Sequence, residues 1–134
     1  MKISVSVRVQ RPIEDVWTCY TSPEHIVGWN FASDDWHTTK SEVDLRVGGS
    51  FSSRMEAKDG SAGFDFAGTY TKVLTNELLE YEFGDRTASV TFTADGAGIV
   101  VEVSFDAEDE NSDELQRQGW QAILDNFKKY VEAR

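Results

Sequence analysis

Residues 111–134 read NSDELQRQGWQAILDNFKKYVEAR, and the rest of the chain can be understood from this stretch. Asn111 is placed to cap a helix, and Asp113 and Glu114 fill a first turn, where acids complement the helix dipole. At about 100° per residue, one side of this helix collects the mostly apolar residues Leu115, Gly119, Trp120, Ala122, Ile123, Phe127, Tyr130 and Val131. The stretch therefore predicts a long amphipathic C-terminal helix whose apolar side needs a cover.

The cover is predicted between Trp36 and Phe105, where the chain shows only strand and turn signals. Turn pairs such as Gly48-Gly49 and Asp95-Gly96 separate segments in which apolar and polar residues alternate. Such alternation is typical of strands with one buried and one solvent-facing side. The spacing predicts a meander of about six antiparallel strands.

A further strand and two short helices precede this meander. Residues 2–9 alternate strictly, with Ile3, Val5, Val7 and Val9 on one face. Pro12 supplies the fixed backbone angle of a helix start, and Ser22-Pro23 repeats the signal for a second short helix.

Together these elements predict an α+β protein of one domain, residues 1–134, since domains most often hold roughly 100 to 150 residues. A curved antiparallel sheet wraps around the C-terminal helix, and the two short helices follow strand one. The expected core includes Ile3, Val5, Val101, Val103, Leu115 and Ile123.

Composition excludes several classes of protein and partner. Lys and Arg number 13 against 24 for Asp and Glu, so the net charge of −11 repels nucleic acid. No apolar run approaches the roughly 20 residues of a membrane span. Cys19 is the only cysteine, and no apolar leader follows Met1, so we expect a reducing, cytoplasmic location.

The usual catalytic and cofactor signatures are missing. No glycine-rich dinucleotide loop and no phosphate-binding Gly-Lys-Ser/Thr loop occurs in the sequence. His25, His37 and Cys19 have no partners at metal-ligand spacing. We therefore expect no cofactor, no metal ion and no assignable catalytic residue.

Aromatic residues on the covered face are the main functional signal. A sheet that curls around a helix tends to leave a cleft with such a lining, which is the usual composition of a small-molecule pocket. The candidate ligand-binding residues are Trp17, Tyr20, Trp29, Phe51, Met55, Phe66, Tyr70, Tyr81, Phe92, Gln116, Gly119, Trp120 and Ile123.

Gln116 is a polar residue on the apolar side of the helix, and its buried amide needs hydrogen-bond partners. Two interpretations remain open at this point. Either the amide contacts the polar end of a ligand, with Gly119 leaving space beside it, or it bonds to neighbouring backbone or solvent.

Several strings resemble the bacterial AHSA-like branch of the SRPBCC superfamily, which also includes START lipid-transfer domains, birch-pollen-type allergens and aromatic polyketide cyclases. The branch takes its name from the activator of the heat-shock-protein-90 ATPase. The strings are Pro12 to Trp17, Trp29, Asp44 to Phe51, Gly68-Thr69-Tyr70, Leu78 to Tyr81 and Gly119-Trp120. The resemblance implies a helix-grip fold with a ligand cavity beneath the C-terminal helix, and it implies no shared catalytic residue.

Three functions are consistent with this sequence. The first is a binding module for a hydrophobic or amphipathic small molecule in a cavity between the sheet and the helix. The second, implied by the resemblance, is a chaperone-associated stress protein whose partner is a chaperone. The third is a cyclase-like enzyme, for which the sequence offers only His37, Tyr20 and a few carboxylates. We rank them in this order.

Overall fold

The computed structural model describes residues 1–134, which form seven strands and three helices. The strands are β1 (Lys2–Val9), β2 (Trp36–Val43), β3 (Ser50–Ala57), β4 (Gly63–Leu74), β5 (Leu78–Phe83), β6 (Arg86–Asp95) and β7 (Gly98–Asp106). The helices are α1 (Ile13–Thr21), α2 (Pro23–Ile26) and α3 (Asp113–Glu132). None of the three has both the length and the apolar composition needed to cross a membrane.

The strands form one antiparallel sheet in the order β1-β7-β6-β5-β4-β3-β2. Strands β2 to β7 are the predicted six-stranded meander, and β1 closes the far edge by pairing with β7, where Ile3 lies opposite Phe105. The hairpins before β6 and β7 turn at Gly84 and Gly96, whose positive φ angles favour glycine. With α3 against the concave face, the helix-grip fold is confirmed.

Helix α3 packs against one side of the concave face. Its backbone lies along β1 and α1, and two of its side chains donate hydrogen bonds to β1 carbonyls. Gln121 Nε2 donates to Ser6 O at 3.0 Å, and Lys128 Nζ donates to Arg8 O at 2.6 Å. Because the helix leans towards β1, space remains between it and the strands β3 to β5.

The predicted core is confirmed for Ile3, Val5, Val101 and Val103, all of which are at most 4% exposed. The predicted helix side is wrong at its N-terminal end, because Leu115 is 55% exposed. Ile123 is only partly buried. The buried residues of α3 are Gln116, Leu124, Phe127 and Val131, so the buried side is rotated from the predicted one.

The N-cap of α3 also differs from the prediction. Ser112 rather than Asn111 occupies the cap, and its Oγ accepts a hydrogen bond from Leu115 N at 3.1 Å. Asn111 N instead donates to a carboxylate oxygen of Glu108 at 3.1 Å. The extended backbone at Ser112 directs its side chain to the open amides of the first turn.

Asp106 joins the ends of β1, β6 and β7. Lys2 Nζ lies 2.9 Å from its Oδ1, and Thr87 donates two hydrogen bonds to its Oδ2. The bond from Lys2 and those from Thr87 lower the pKa of Asp106 from 3.8 to about 2. The ionised form is therefore favoured in the folded state.

We expect Asp106→Asn to lower the melting temperature near neutral pH. Because the folded-state pKa lies below the unfolded one, this stabilisation is complete above about pH 4 and is lost as pH falls towards about 2. Melting curves of both proteins across this range should converge at the acidic end. A difference in melting temperature between the two proteins that stays constant down to about pH 2 would contradict the lowered pKa of Asp106.

Candidate functional site

A cavity of about 340 Å³ lies between α3 and the strands β3 to β5. Fifteen of its 19 lining residues are hydrophobic, which is typical of small-molecule pockets. The lining residues are Tyr20, Ile26, Trp29, Asn30, Val43, Phe51, Ser53, Met55, Phe64, Phe66, Tyr70, Leu79, Tyr81, Arg86, Val103, Glu108, Trp120, Ile123 and Leu124.

The sheet side of the cavity is an aromatic wall. Phe51 on β3, Phe66 and Tyr70 on β4, and Tyr81 on β5 point to the same face, because side chains at alternate strand positions share a side. The ring of Phe51 lies 5.2 Å from that of Tyr70 and 4.9 Å from that of Tyr81. These contacts hold the rings in a continuous surface.

The glycine pair between β2 and β3 positions Tyr70 within this wall. Gly48 N donates to Tyr70 O at 2.8 Å, and Tyr70 N donates to Gly49 O at 2.9 Å. A Cβ atom at Gly49 would lie 2.1 Å from Asp44 O, so no other residue fits this approach. The Gly48-Gly49 pair thus fixes a cavity residue as well as a turn.

Helices supply the opposite wall. Trp120 of α3 stacks on Phe105 with ring centroids 4.0 Å apart, and its other neighbours include Phe66. Tyr20 and Trp29 pack together at 5.0 Å, and Trp29 Nε1 donates to Cys19 O at 3.0 Å. The wall is therefore held by both packing and a buried hydrogen bond.

Most of the residues predicted from the sequence come together around this cavity. Those that line it are Tyr20, Trp29, Phe51, Met55, Phe66, Tyr70, Tyr81, Trp120 and Ile123. Trp17 and Phe92 do not line it. They pack edge to face at 5.2 Å in the core behind Tyr20. Alternation predicts which face of the sheet a residue occupies but not how deeply it is buried, so the sequence did not distinguish these two residues from the lining.

Gln116 also does not line the cavity. Its Oε1 accepts from Glu108 N at 2.9 Å, and its Nε2 donates to Glu108 O at 3.2 Å and Asn111 O at 2.9 Å. The amide therefore ties the loop before α3 to the helix. Of the two interpretations of this residue, the structure shows the bond to neighbouring backbone.

Gly119 lies outside the cavity lining, and a Cβ atom there would contact nothing within 4 Å. Its position on α3 is about 100° from that of Trp120, which points into the cavity. The structure therefore brings Gly119 into no contact with the cavity.

Ten lining residues were not predicted, namely Ile26, Asn30, Val43, Ser53, Phe64, Leu79, Arg86, Val103, Glu108 and Leu124. Several of them had a signal in the sequence, and Val103 was already expected in the core. Arg86 is in phase with Ala88, Val90 and Phe92 on the covered face of β6, and Leu124 follows Trp120 by one helical turn.

Three tyrosine hydroxyls supply polar groups inside this apolar lining. Tyr20, Tyr70 and Tyr81 make no side-chain hydrogen bond within the protein. Every side-chain oxygen or nitrogen that is fully shielded from solvent does have a hydrogen-bond partner, so these hydroxyls are not fully shielded. The three hydroxyls therefore face open space. Since all three residues line the cavity, their hydroxyls are available to a ligand.

Burial keeps these phenols protonated. It raises the pKa of Tyr70 to about 12 and the pKa of Tyr20 above its ordinary value. It also raises the pKa of Tyr81, and negative charge on Tyr20 or Tyr70 would raise that pKa further. At neutral pH the three groups are neutral hydrogen-bond donors and acceptors.

The cavity contains few groups suited to metal binding or proton transfer. Neither histidine lines it, and nowhere in the chain do three His, Cys, Asp or Glu side chains converge. Cys19 is a buried free thiol whose pKa is raised by burial. The arrangement can enclose an apolar body and bind a polar end.

Comparison with known proteins gives a family and close structural relatives. Residues 10–132 match the AHSA1 family, described as "Activator of Hsp90 ATPase homolog 1-like protein". The chain is similar to the AHSA1-like protein from Aeromonas hydrophila, at 50% identity and a TM-score of 0.93 over 99% of this chain and 93% of that one.

Two further structures extend the comparison. A protein from Cytophaga hutchinsonii is 47% identical with a TM-score of 0.85, over 98% of this chain and 92% of that one. A protein from Nitrosomonas europaea is 18% identical with a TM-score of 0.83 over 99% and 95%, which shows a shared fold alone. No protein with a curated description matches the chain.

Proposed function

We propose, since the chain belongs to the AHSA1 family of Activator of Hsp90 ATPase homolog 1-like proteins, that it binds a hydrophobic or amphipathic small molecule. The ligand occupies the cavity between the sheet and α3, and it is the partner on which the function depends. The single cysteine leaves the fold independent of disulfides, so the proposal places the protein in a reducing, cytoplasmic location.

The cavity itself is the observation that carries this proposal. It is a partly open apolar cleft of about 340 Å³, and concave, mostly apolar clefts are the usual form of small-molecule sites. Its size lies within the roughly 300 to 1,000 Å³ of known ligand pockets. An apolar ligand would gain contact with aromatic side chains that otherwise face an open cavity.

The pKa shifts favour binding over catalysis. A general base works best with a pKa near the operating pH, whereas burial moves the pKa of Tyr20, Tyr70 and Tyr81 away from it. Glu108 is the only carboxylate in the lining. The cyclase-like alternative therefore has few groups to use.

Chaperone association, the second alternative, has support from family membership but little from the surface. A docking site for another protein usually includes a contiguous apolar patch. The large exposed apolar side chains are few: Met1, Leu45, Val47, Phe64, Leu74 and Leu115. Binding of a small molecule accounts better for where the apolar surface is concentrated.

We expect the protein, after extraction with organic solvent and refolding, to bind the neutral fluorescent probe N-phenylnaphthylamine saturably. The probe emits more strongly in apolar surroundings, so a fluorescence titration gives the affinity. Val43→Trp places a large ring in the cavity and should weaken binding by at least about tenfold.

Glu42→Trp is the matched control, because it adds the same ring one residue away on the solvent-facing side of β2. Its affinity should stay within about twofold of the original. Absence of saturable binding to the unsubstituted protein would overturn the proposal, as would equal effects of the two substitutions.

A further inference from the structure

One charged side chain is placed on the covered face of the sheet. Arg86 begins β6 and shares its face with Ala88, Val90 and Phe92, all of which are buried. Its guanidinium carbon lies 4.4 Å from the centre of the Phe83 ring, and Nη1 donates to Asp106 O at 3.1 Å. These contacts hold the guanidinium in the cavity lining.

The charge of Arg86 has no counter-ion in the protein. None of the ion pairs in the structure includes it, and only one of its five N–H donors has a partner. The carboxylate of Asp106 is taken by Lys2 and Thr87. The carboxylate of Glu108, also in the lining, accepts hydrogen bonds from Asn111.

Tyr81 places a second donor near this charge. Phe83 lies directly opposite Arg86 in the β5–β6 pair, and Tyr81 is two residues before Phe83 on the same face. Diagonal neighbours of this kind, about 7 to 8 Å apart at the backbone, are within reach of long side chains. Arg86 also acts electrostatically on the Tyr81 phenol, which burial keeps protonated.

Resting on the ligand-binding function proposed above, we infer that the cavity selects an amphiphile with one carboxylate head. Arg86 binds this carboxylate through its free N–H groups, and the Tyr81 hydroxyl donates a further hydrogen bond. The apolar body of the ligand lies against the lining side chains Phe51, Met55 and Ile123. A guanidinium fork matches the two oxygens of a carboxylate, so this is the head group that the donor set fits best.

The net charge of −11 opposes this selection only weakly. Exposed charges act over a Debye length of about 10 Å at 0.1 M salt, whereas Arg86 would contact the head group directly. A charge-assisted hydrogen bond at short range therefore outweighs the distant acidic surface.

The test is displacement of N-phenylnaphthylamine by decanoate and by decanol, which share a chain and differ in charge. At a pH well above about 4.3, decanoate is ionised. We expect decanoate to displace the probe at an about tenfold lower concentration than decanol. Arg86→Met should remove that preference, so that decanoate and decanol displace the probe at concentrations within about twofold of each other.

Lys72→Met is the matched control, because it removes one positive charge from the exposed outer side of β4. It should keep the preference for decanoate. Arg86→Lys retains the charge without the fork and should keep part of the preference, which provides a second variant if Arg86→Met does not fold.

The two proposals fail in different ways. If the probe does not bind saturably, the ligand-binding function is wrong. If the probe binds and neither amphiphile displaces it, the inference about the head group is wrong and the ligand-binding function stands. If decanoate and decanol bind equally, the inference about the head group is wrong and the ligand-binding function stands. Equal weakening of both amphiphiles by Arg86→Met, or loss of the preference in Lys72→Met, would also overturn the inference.

Discussion

Leu124→Asp is expected to cost more than about 4 kcal/mol of unfolding free energy, which leaves little of the folded state. Leu124 is 2% exposed on the buried side of α3, so the substitution replaces packed apolar contacts with a carboxylate that loses most of its hydration. Burying a charge in place of an apolar side chain is among the most destabilising single changes. Urea unfolding followed by circular dichroism measures the loss.

Leu115→Asp is the matched control on the same helix. Leu115 is 55% exposed, and an acid in the first turn complements the helix dipole. We expect a change of at most about 0.5 kcal/mol. Severe destabilisation by Leu115→Asp and a mild effect of Leu124→Asp would restore the helix side predicted from the sequence and contradict the structure.

Phe127→Ala is expected to cost about 3 to 5 kcal/mol, since it leaves a cavity in a packed core. Phe127 is fully buried, and the rings of Tyr20 and Trp29 pack edge to face against it at 5.1 and 4.9 Å. The substitution removes an aromatic contact between α3, α1 and the segment after α2. The same urea measurement gives the loss.

Phe64→Ala makes the same change at a residue that is 48% exposed. Its expected cost is below about 1 kcal/mol, because less contact area is lost and no enclosed space is created. Similar losses for the two variants would show that Phe127 does not occupy the core position described above.

The strands could be predicted from the sequence because a shift of one residue in a strand's register would move every side chain to the other face of the sheet. Because of that constraint, alternation correctly predicted that Ile3, Val5, Val101 and Val103 are buried. The phase of α3 was harder to predict. Its first buried residue is Gln116, whose amide is satisfied by the loop before the helix, and no apolar pattern reveals such bonds.

The cavity could be predicted in kind but not in detail. Alternation placed the aromatic rings of Phe51, Phe66 and Tyr81 on the covered face, and they do form one wall. It could not show that α3 leans towards β1, which is what leaves the space open. Arg86 was not predicted as a cavity residue because it lies next to a turn, although the alternation along β6 places it on the covered face.

The most direct test of the account is whether a ligand enters the cavity, and methyl resonances in nuclear magnetic resonance spectra report this. On titration with N-phenylnaphthylamine, the ring currents of the probe should shift the methyl signals of Met55 and Ile123, which line the cavity. The exposed methyl groups of Val47 and Leu115 should keep their positions. Saturable shifts at Met55 and Ile123 alone are the predicted result, and shifts confined to Val47 or Leu115 would contradict it.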